Sequence, residues 1–208
     1  MKILFLFCFF MFSFLTHATS ISLVGNTLYS QPVSAASSTT SYTGKFNFGG
    51  GLIVSQKLIS IFGVELGGLF LQRSTRVLVT DTRGPIIFSV EGILKQYYFL
   101  FPALAQVYVL PNLALGFGGF ATKSVGRMKT ENFKGTVGTT PVTVTPSTTQ
   151  AQSTELGLLG GIQATFPIKP KISAHFELWY LRALSRAFTH GNARNRDIQT
   201  LVGLSYQL

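Results

Sequence analysis

Charge is scarce in this chain: Asp, Glu, Lys and Arg together make up 12% of 208 residues, about half the share a soluble domain carries. A surface with so little charge cannot face water everywhere. Acid is scarcer still, with 7 Asp and Glu against 17 Lys and Arg, so the excess favours anionic partners. The single cysteine, Cys8, sits beside Phe9 and Phe10 in an N-terminal apolar run and lacks the small-residue context of a lipoprotein cysteine. Past that run there is no thiol, which excludes disulfides and thiolate metal sites. No later stretch reaches 18 consecutive apolar residues, so no helix is long enough to cross a bilayer. A chain that crosses without helices must do so as strands closed on themselves, because in hydrocarbon every N–H and C=O needs an internal partner.

What is present starts with an export address. Lys2 precedes an apolar run from Ile3 to Leu15, and Thr16-His17-Ala18 supplies small residues before a cut after Ala18, the layout of a secretory signal. The expected division is a signal peptide over 1–18 and one domain over 19–208. The 21 glycines and 19 phenylalanines fit short strands with aromatic belts.

Period-two alternation picks out eight strands, at about Thr19–Tyr29, Tyr42–Val54, Ile59–Gln72, Leu94–Val109, Asn112–Lys123, Ser153–Phe166, Lys171–Ser185 and Arg196–Leu208. Each is near or above the ~9–11 residues of a tilted membrane strand. The last is typical, with Val202, Leu204, Tyr206 and Leu208 on one face and Gly203, Ser205 and Gln207 on the other. Connections alternate between long (30–41, 73–93, 124–152, 186–195) and short (55–58, 110–111, 167–170), as outer loops and periplasmic turns do. Pro102 falls mid-strand, where it removes one ladder donor; it is expected at a local break facing the lumen. A soluble β-sandwich also alternates, but its polar face would be rich in Lys and Glu. Here that face holds Gly, Gln, Ser and isolated charges, which suits a narrow lumen filled by small and polar side chains. The expected fold is all-β, an eight-stranded antiparallel up-and-down transmembrane β-barrel.

With Pro102 inside Phe99-Leu100-Phe101-Pro102-Ala103-Leu104-Ala105-Gln106-Val107-Tyr108, the glycine-rich Leu115-Gly116-Phe117-Gly118-Gly119-Phe120, the strand start Glu155-Leu156-Gly157-Leu158-Leu159-Gly160-Gly161 and the closing strand, the chain resembles the small bacterial outer-membrane β-barrel family. That family includes the OmpA-like and OmpX-like eight-stranded barrels and porin-like proteins. The resemblance implies an integral outer-membrane protein of a Gram-negative-type bacterium, a monomer in contact with lipid and lipopolysaccharide and inserted by the barrel-assembly machinery. It implies no cofactor and no nucleic-acid partner. Such barrels commonly end in an aromatic residue, whereas this chain ends in Leu208. Val202, Leu204, Tyr206 and Leu208 are then the expected insertion signal.

Two sets of polar residues are candidates for function. Lys45, Glu65, Gln96, Gln106, Glu155, Gln163, Ser173, His175 and Glu177 fall on inward faces, with Lys45, Lys95 or an arginine expected to neutralise the buried acids. Among them Ser173, His175 and Glu177 are the residue types of a hydrolase triad. Neighbours two apart on a strand lie about 7 Å apart, too far for a direct bond without help from long side chains. A hydrogen-bonding lumen network is therefore expected, with no catalytic and no metal site. The second set lies in the long loops and outer strand ends: Arg73, Arg76, Arg83, Lys123, Arg127, Lys129, Lys134, Arg182, Arg186, Arg194 and Arg196, against Asp81, Glu91, Glu131 and Asp197. Guanidinium binds phosphate bidentately, so Arg182, Arg186, Arg194, Arg196, Arg127 and Lys129 are candidates for lipopolysaccharide phosphates. The expected role is structural or surface-interacting, with adhesin-like binding through 124–152, a lipid A-modifying enzyme or a narrow channel as alternatives.

Overall fold

The computed structural model describes residues 20–33, 40–83, 86–143, 154–186 and 194–208; the signal peptide expected over 1–18 lies outside the described residues. Nine strands run in chain order: β1 (Ser20–Val33), β2 (Thr40–Lys57), β3 (Phe62–Arg83), β4 (Ile86–Leu110), β5 (Leu113–Val137), β6 (Thr140–Val142), β7 (Thr154–Lys169), β8 (Ile172–Ala183) and β9 (Arg194–Gln207). Each pairs antiparallel with its neighbour, except that β6 folds back on β5 alone while β5 pairs with β7. β1 pairs with β9 from Ser20↔Gln207 to Val33↔Arg194. The result is a closed eight-stranded up-and-down barrel with a short extra strand.

Alternation along each strand decides which side chains meet hydrocarbon. On β2, Phe46 and Phe48 are 73% and 72% exposed on the outer wall. No soluble sandwich leaves such rings in water, and a row of them round a closed sheet is a lipid-facing band. Leu23, Phe117, Leu156 and Val202 continue it. On the same wall the rings of Phe70 and Phe99 meet at 5.3 Å. At the short-turn end, Lys171 Nζ stands 5.7 Å from the Tyr206 ring centre, an interfacial anchor of cation over aromatic.

Three strands are longer than alternation alone predicts. β3, β4 and β5 run 22, 25 and 25 residues, whereas the other five staves run 12 to 18. Most of the loop expected over 73–93 is strand, because the β-branched Val77, Val79, Ile86, Ile87 and Val90 favour it. β5 continues past Lys123 through two ladder shifts, one around Gly126 and one around Asn132, both at positive φ, bends that a β-bulge accommodates. It then turns at Gly138 into β6, where Thr140–Val142 pairs with Gly135–Val137 despite Pro141. The rest of the threonine-rich run, from 144 on, lies outside the described residues. These long strands form a wall standing above the rest of the rim.

Pro102 sits as expected, its ring buried on the inner face. The β3–β4 ladder passes from Leu66↔Ala103 to Leu69↔Leu100 with no bridge between. Gly67 stands opposite, and a Cβ there would lie 2.9 Å from Pro102 Cγ, so the missing side chain makes room for the ring. Elsewhere glycine permits close strand approach: a Cβ on Gly203 would collide with the backbone of Leu23 and Val24. Gly203→Val is therefore expected to lower stability by about 1–3 kcal/mol, read as a shifted urea midpoint in lipid vesicles. Gly68→Ala, where a Cβ meets nothing within 4 Å, is expected to leave that midpoint in place.

Candidate functional site: a layered barrel interior

The inward faces do not form one polar network. They form two, separated by an apolar layer. At the short-turn end, Glu65 of β3 gathers three donors on one oxygen: Ser55 Oγ at 3.1 Å, Gln106 Nε2 at 2.8 Å and Gln163 Nε2 at 3.4 Å. Gln106 Nε2 also donates to Gln163 Oε1 at 2.6 Å, and Tyr108 OH donates to Gln106 Oε1 at 3.1 Å. Beside them His175 Nε2 and Glu177 Oε1 are 2.6 Å apart, and His175 Nδ1 lies 3.4 Å from Ser22 Oγ. Apart from the half-buried Tyr108, these groups are almost wholly buried, which requires the partners they have.

The pairing of His175 with Glu177 shows that two long side chains on one strand do bridge the spacing along it. The serine near them is Ser22 of β1, not Ser173. A cavity of about 210 Å³ opens at this end, lined by Ser173, His175, Ser205 and Tyr108 among others. Ser22 is fully buried and is not in that lining. A hydrolase needs its nucleophile at the substrate; this serine lies behind the histidine.

Above the polar floor the lumen is apolar, contrary to the small and polar filling expected from the sequence. Leu28, Leu69, Leu71, Leu100, Leu159, Trp179, Leu181 and Leu201 are each at most 3% exposed and form one cluster. They share strand faces with Glu65, Glu177 and Asp197, so an inward position does not mean a polar one. The interior of an eight-stranded barrel is just wide enough for side chains to fill.

Over this layer lies the second polar cluster, centred on Arg73 of β3. Its Nη1 donates to Glu155 Oε2 at 3.0 Å and its Nη2 to Asp197 Oδ2 at 2.6 Å. Asn195 Nδ2 donates to Glu155 Oε1 at 2.7 Å, and the guanidinium carbon stands 4.5 Å from the centre of the Tyr98 ring. Arg73 and Asp197 thus leave the outer charge set in which the sequence placed them. Glu155 belongs with them and not with Glu65. A signal for Arg73 lay in its parity with Glu65, Leu69 and Leu71 on β3.

The remaining expected members stand apart. Gln96 is at a ladder shift between β4 and β5, its Nε2 donating to the Tyr97 and Val125 carbonyls at 2.9 and 3.2 Å. Lys45 offers its backbone carbonyl to Asn47 Nδ2 at 2.9 Å, and its ammonium joins neither cluster. Lys95 pairs with Glu131 at 2.5 Å, and Arg76 pairs with Glu91, both on the tall wall.

On the short wall Arg182, Arg186, Arg194 and Arg196 are exposed, as is Lys129 on β5; the side chain of Arg127 lies outside the described residues. Arg182 and Arg196 are direct cross-strand partners on the outer face, with Tyr180↔Ile198 two residues further into the lipid band. Val202, Leu204, Tyr206 and Leu208 all point outward, 47–59% exposed.

The Arg73 cluster has a measurable consequence. Arg73→Met leaves two buried carboxylates without their cation, and a loss of about 3–5 kcal/mol is expected in lipid-vesicle unfolding. Adding Glu155→Gln and Asp197→Asn to that variant is expected to recover most of it.

No family model and no curated protein matches the sequence. Among solved structures, the outer membrane protein OprG from Pseudomonas aeruginosa is 14% identical with a TM-score of 0.53, covering 92% of this chain and 97% of its own. Ail, the attachment invasion locus protein of Yersinia pestis, in complex with the heparin analogue sucrose octasulfate, is 12% identical with a TM-score of 0.46, covering 90% and 98%. Neisserial surface protein A is 9% identical with a TM-score of 0.35, covering 90% and 97%. The OprG likeness shows that the fold is that of a small outer-membrane β-barrel.

Proposed function

We propose that this chain is an outer-membrane protein of a Gram-negative-type bacterium, without enzymatic activity, that binds the phosphates of lipopolysaccharide through the arginines of its short wall. The observation that carries this reading is a pair of arginines set directly opposite each other. On the tall wall Arg76 and Lys95 are held by Glu91 and Glu131, and Arg73 is held inside. On the short wall Arg182 and Arg196 face each other across β8 and β9, with no ion pair among the described residues. Like charges directly opposite in a sheet repel. An anion lodged between them removes that cost, and the exposed Leu158, Tyr180 and Ile198 beside and below them support a position for the pair at the edge of the hydrocarbon, at the height of outer-leaflet phosphates.

The apolar layer supports a structural role over a channel for solutes, and the buried Ser22 supports a non-enzymatic one. The closing strand, with Val202, Leu204, Tyr206 and Leu208 on one face, is the segment we assign to recognition by the barrel-assembly machinery. The barrel is taken to act as a monomer. A second reading, a surface binder of adhesin-like kind, is favoured by the tall wall of β3 to β6; removing 138–152 is expected to abolish such binding while insertion persists.

The test uses purified protein in detergent with bis-phosphorylated lipopolysaccharide and its dephosphorylated form. The phosphorylated lipid is expected to raise the melting temperature of the native chain, and the dephosphorylated lipid to have little effect. Arg182→Ala with Arg196→Ala is expected to weaken binding by about tenfold or more, on the scale of 1.5–3 kcal/mol for a hydrogen bond to a charged group. Equal stabilisation by both lipids counts against the proposal. Lipid A from cells with and without the chain is expected to give the same mass spectrum.

A further inference from the structure

The cavity at the short-turn end has no part in the binding of lipid described above. Its volume of about 210 Å³ equals that of roughly seven water molecules at ~30 Å³ each. That is less than the ~300 Å³ at which pockets for drug-sized ligands begin, and enough for one small ring compound. Five neighbouring strands each contribute a hydroxyl residue to its lining: Ser55 of β2, Ser20 of β1, Ser205 of β9, Ser173 of β8 and Thr165 of β7. Register sets them side by side, with Ser20↔Ser55 and Ser173↔Ser205 as direct cross-strand partners and Thr165 opposite His175.

The chemistry of this lining selects among ligands. A carboxylate or other anion only accepts hydrogen bonds and an ammonium only donates them, whereas a hydroxyl does both. Ser55 gives its one hydrogen to Glu65 and keeps its lone pairs for a guest. The hydroxyls of Ser20, Thr165, Ser173 and Ser205 have no side-chain partner among the described residues, and none of the four is sealed from solvent. Each is open to give one bond and to take another. Glu65 and Glu177 stand behind the lining, fully buried and held by Ser55, Gln106 and His175, so no carboxylate meets a guest. Lys57 is exposed, its Nζ 4.7 Å from the centre of the Tyr108 ring. Ala114 and Pro111 add apolar surface to the same cavity.

We propose that this cavity is a binding site for a neutral monosaccharide, whose hydroxyls bond to Ser20, Thr165, Ser173 and Ser205 and whose C–H groups lie against Ala114 and Pro111. A sugar carries on one small ring the mixture that the lining carries: groups that both donate and accept, and apolar carbons between them. The leucines and Trp179 above the polar floor close the cavity on its inner side. The ligand therefore enters and leaves by the short-turn end, the periplasmic side, and is bound there without being carried across. This inference does not depend on the arginines of the outer rim.

The experiment is a titration of the ¹⁵N-labelled protein, folded in phosphocholine micelles that contain no sugar, with D-glucose, D-galactose and N-acetyl-D-glucosamine. At least one of them is expected to shift the amide signals of Thr165, Ser173 and Ser205 saturably, with a dissociation constant in the millimolar range that so few atoms support. The signals of Arg182 and Arg196, at the other end of the barrel, are expected to stay in place, and so are all of these signals when inorganic phosphate or ammonium is added instead. Thr165→Val with Ser173→Ala removes two hydroxyls at little change of volume and is expected to weaken the sugar by about tenfold, in a spectrum that is otherwise that of the native barrel. If that variant does not fold, Ser20→Ala alone is expected to weaken it several-fold. No saturable shift with any of the three sugars overturns the proposal. So does undiminished affinity in a folded variant, or a saturable shift of the same signals by phosphate or ammonium, which would mark a site for ions.

Discussion

The whole molecule depends on one requirement, that no backbone polar group be left unpaired in hydrocarbon. A sheet with free edges fails it. The pairing of β1 with β9 from Ser20↔Gln207 to Val33↔Arg194 removes both edges at once and makes the interior a closed space. Everything else follows from having eight strands. The lumen is narrow enough for side chains to fill, so its contents act as a core, and the outer wall is free to present Phe46, Phe48 and Val202 to lipid.

The core then has to reconcile polar and apolar side chains in one small volume. It does so by stacking them in layers. Glu65, Gln106, Gln163, His175 and Glu177 share bonds near the short turns; leucines and Trp179 fill the middle; Arg73 joins Glu155, Asp197 and Asn195 above. Arg73 meets its two carboxylates within the upper layer, Glu65 meets neutral donors within the lower one, and the leucines lie between the two. At the rim Glu91 and Glu131 hold Arg76 and Lys95 on the tall wall, while Arg182 and Arg196 on the short wall have no ion pair among the described residues.

Strand number, direction and lipid-facing residues were legible because alternation is a local signal, one that Val202, Leu204 and Tyr206 carry within six residues. The position of Pro102 was legible for the same reason. The inner layering was not. Whether Leu201 or Gln199 meets a leucine or an amide depends on register with strands far away in sequence, and the periodicity of one strand says nothing of height in the barrel. Arg73 reads as a loop residue when alternation ends the strand at Gln72, whereas the ladder with β4 runs on to Arg83↔Ile86. Lys45 stands opposite the inward Ser30 and Gln96 opposite Arg73, yet neither side chain bonds into a cluster among the described residues, and ladder shifts on β2 and β4 beside them are not visible in a one-dimensional pattern.

The unequal height of the staves gives the barrel a front and a back. Lipid headgroups can approach more closely from the side of β7, β8, β9 and β1, while β3 to β6 stand as a screen on the other side. A molecule built this way has a preferred azimuth among its neighbours. Two copies placed side by side would not be interchangeable under rotation in the plane of the bilayer.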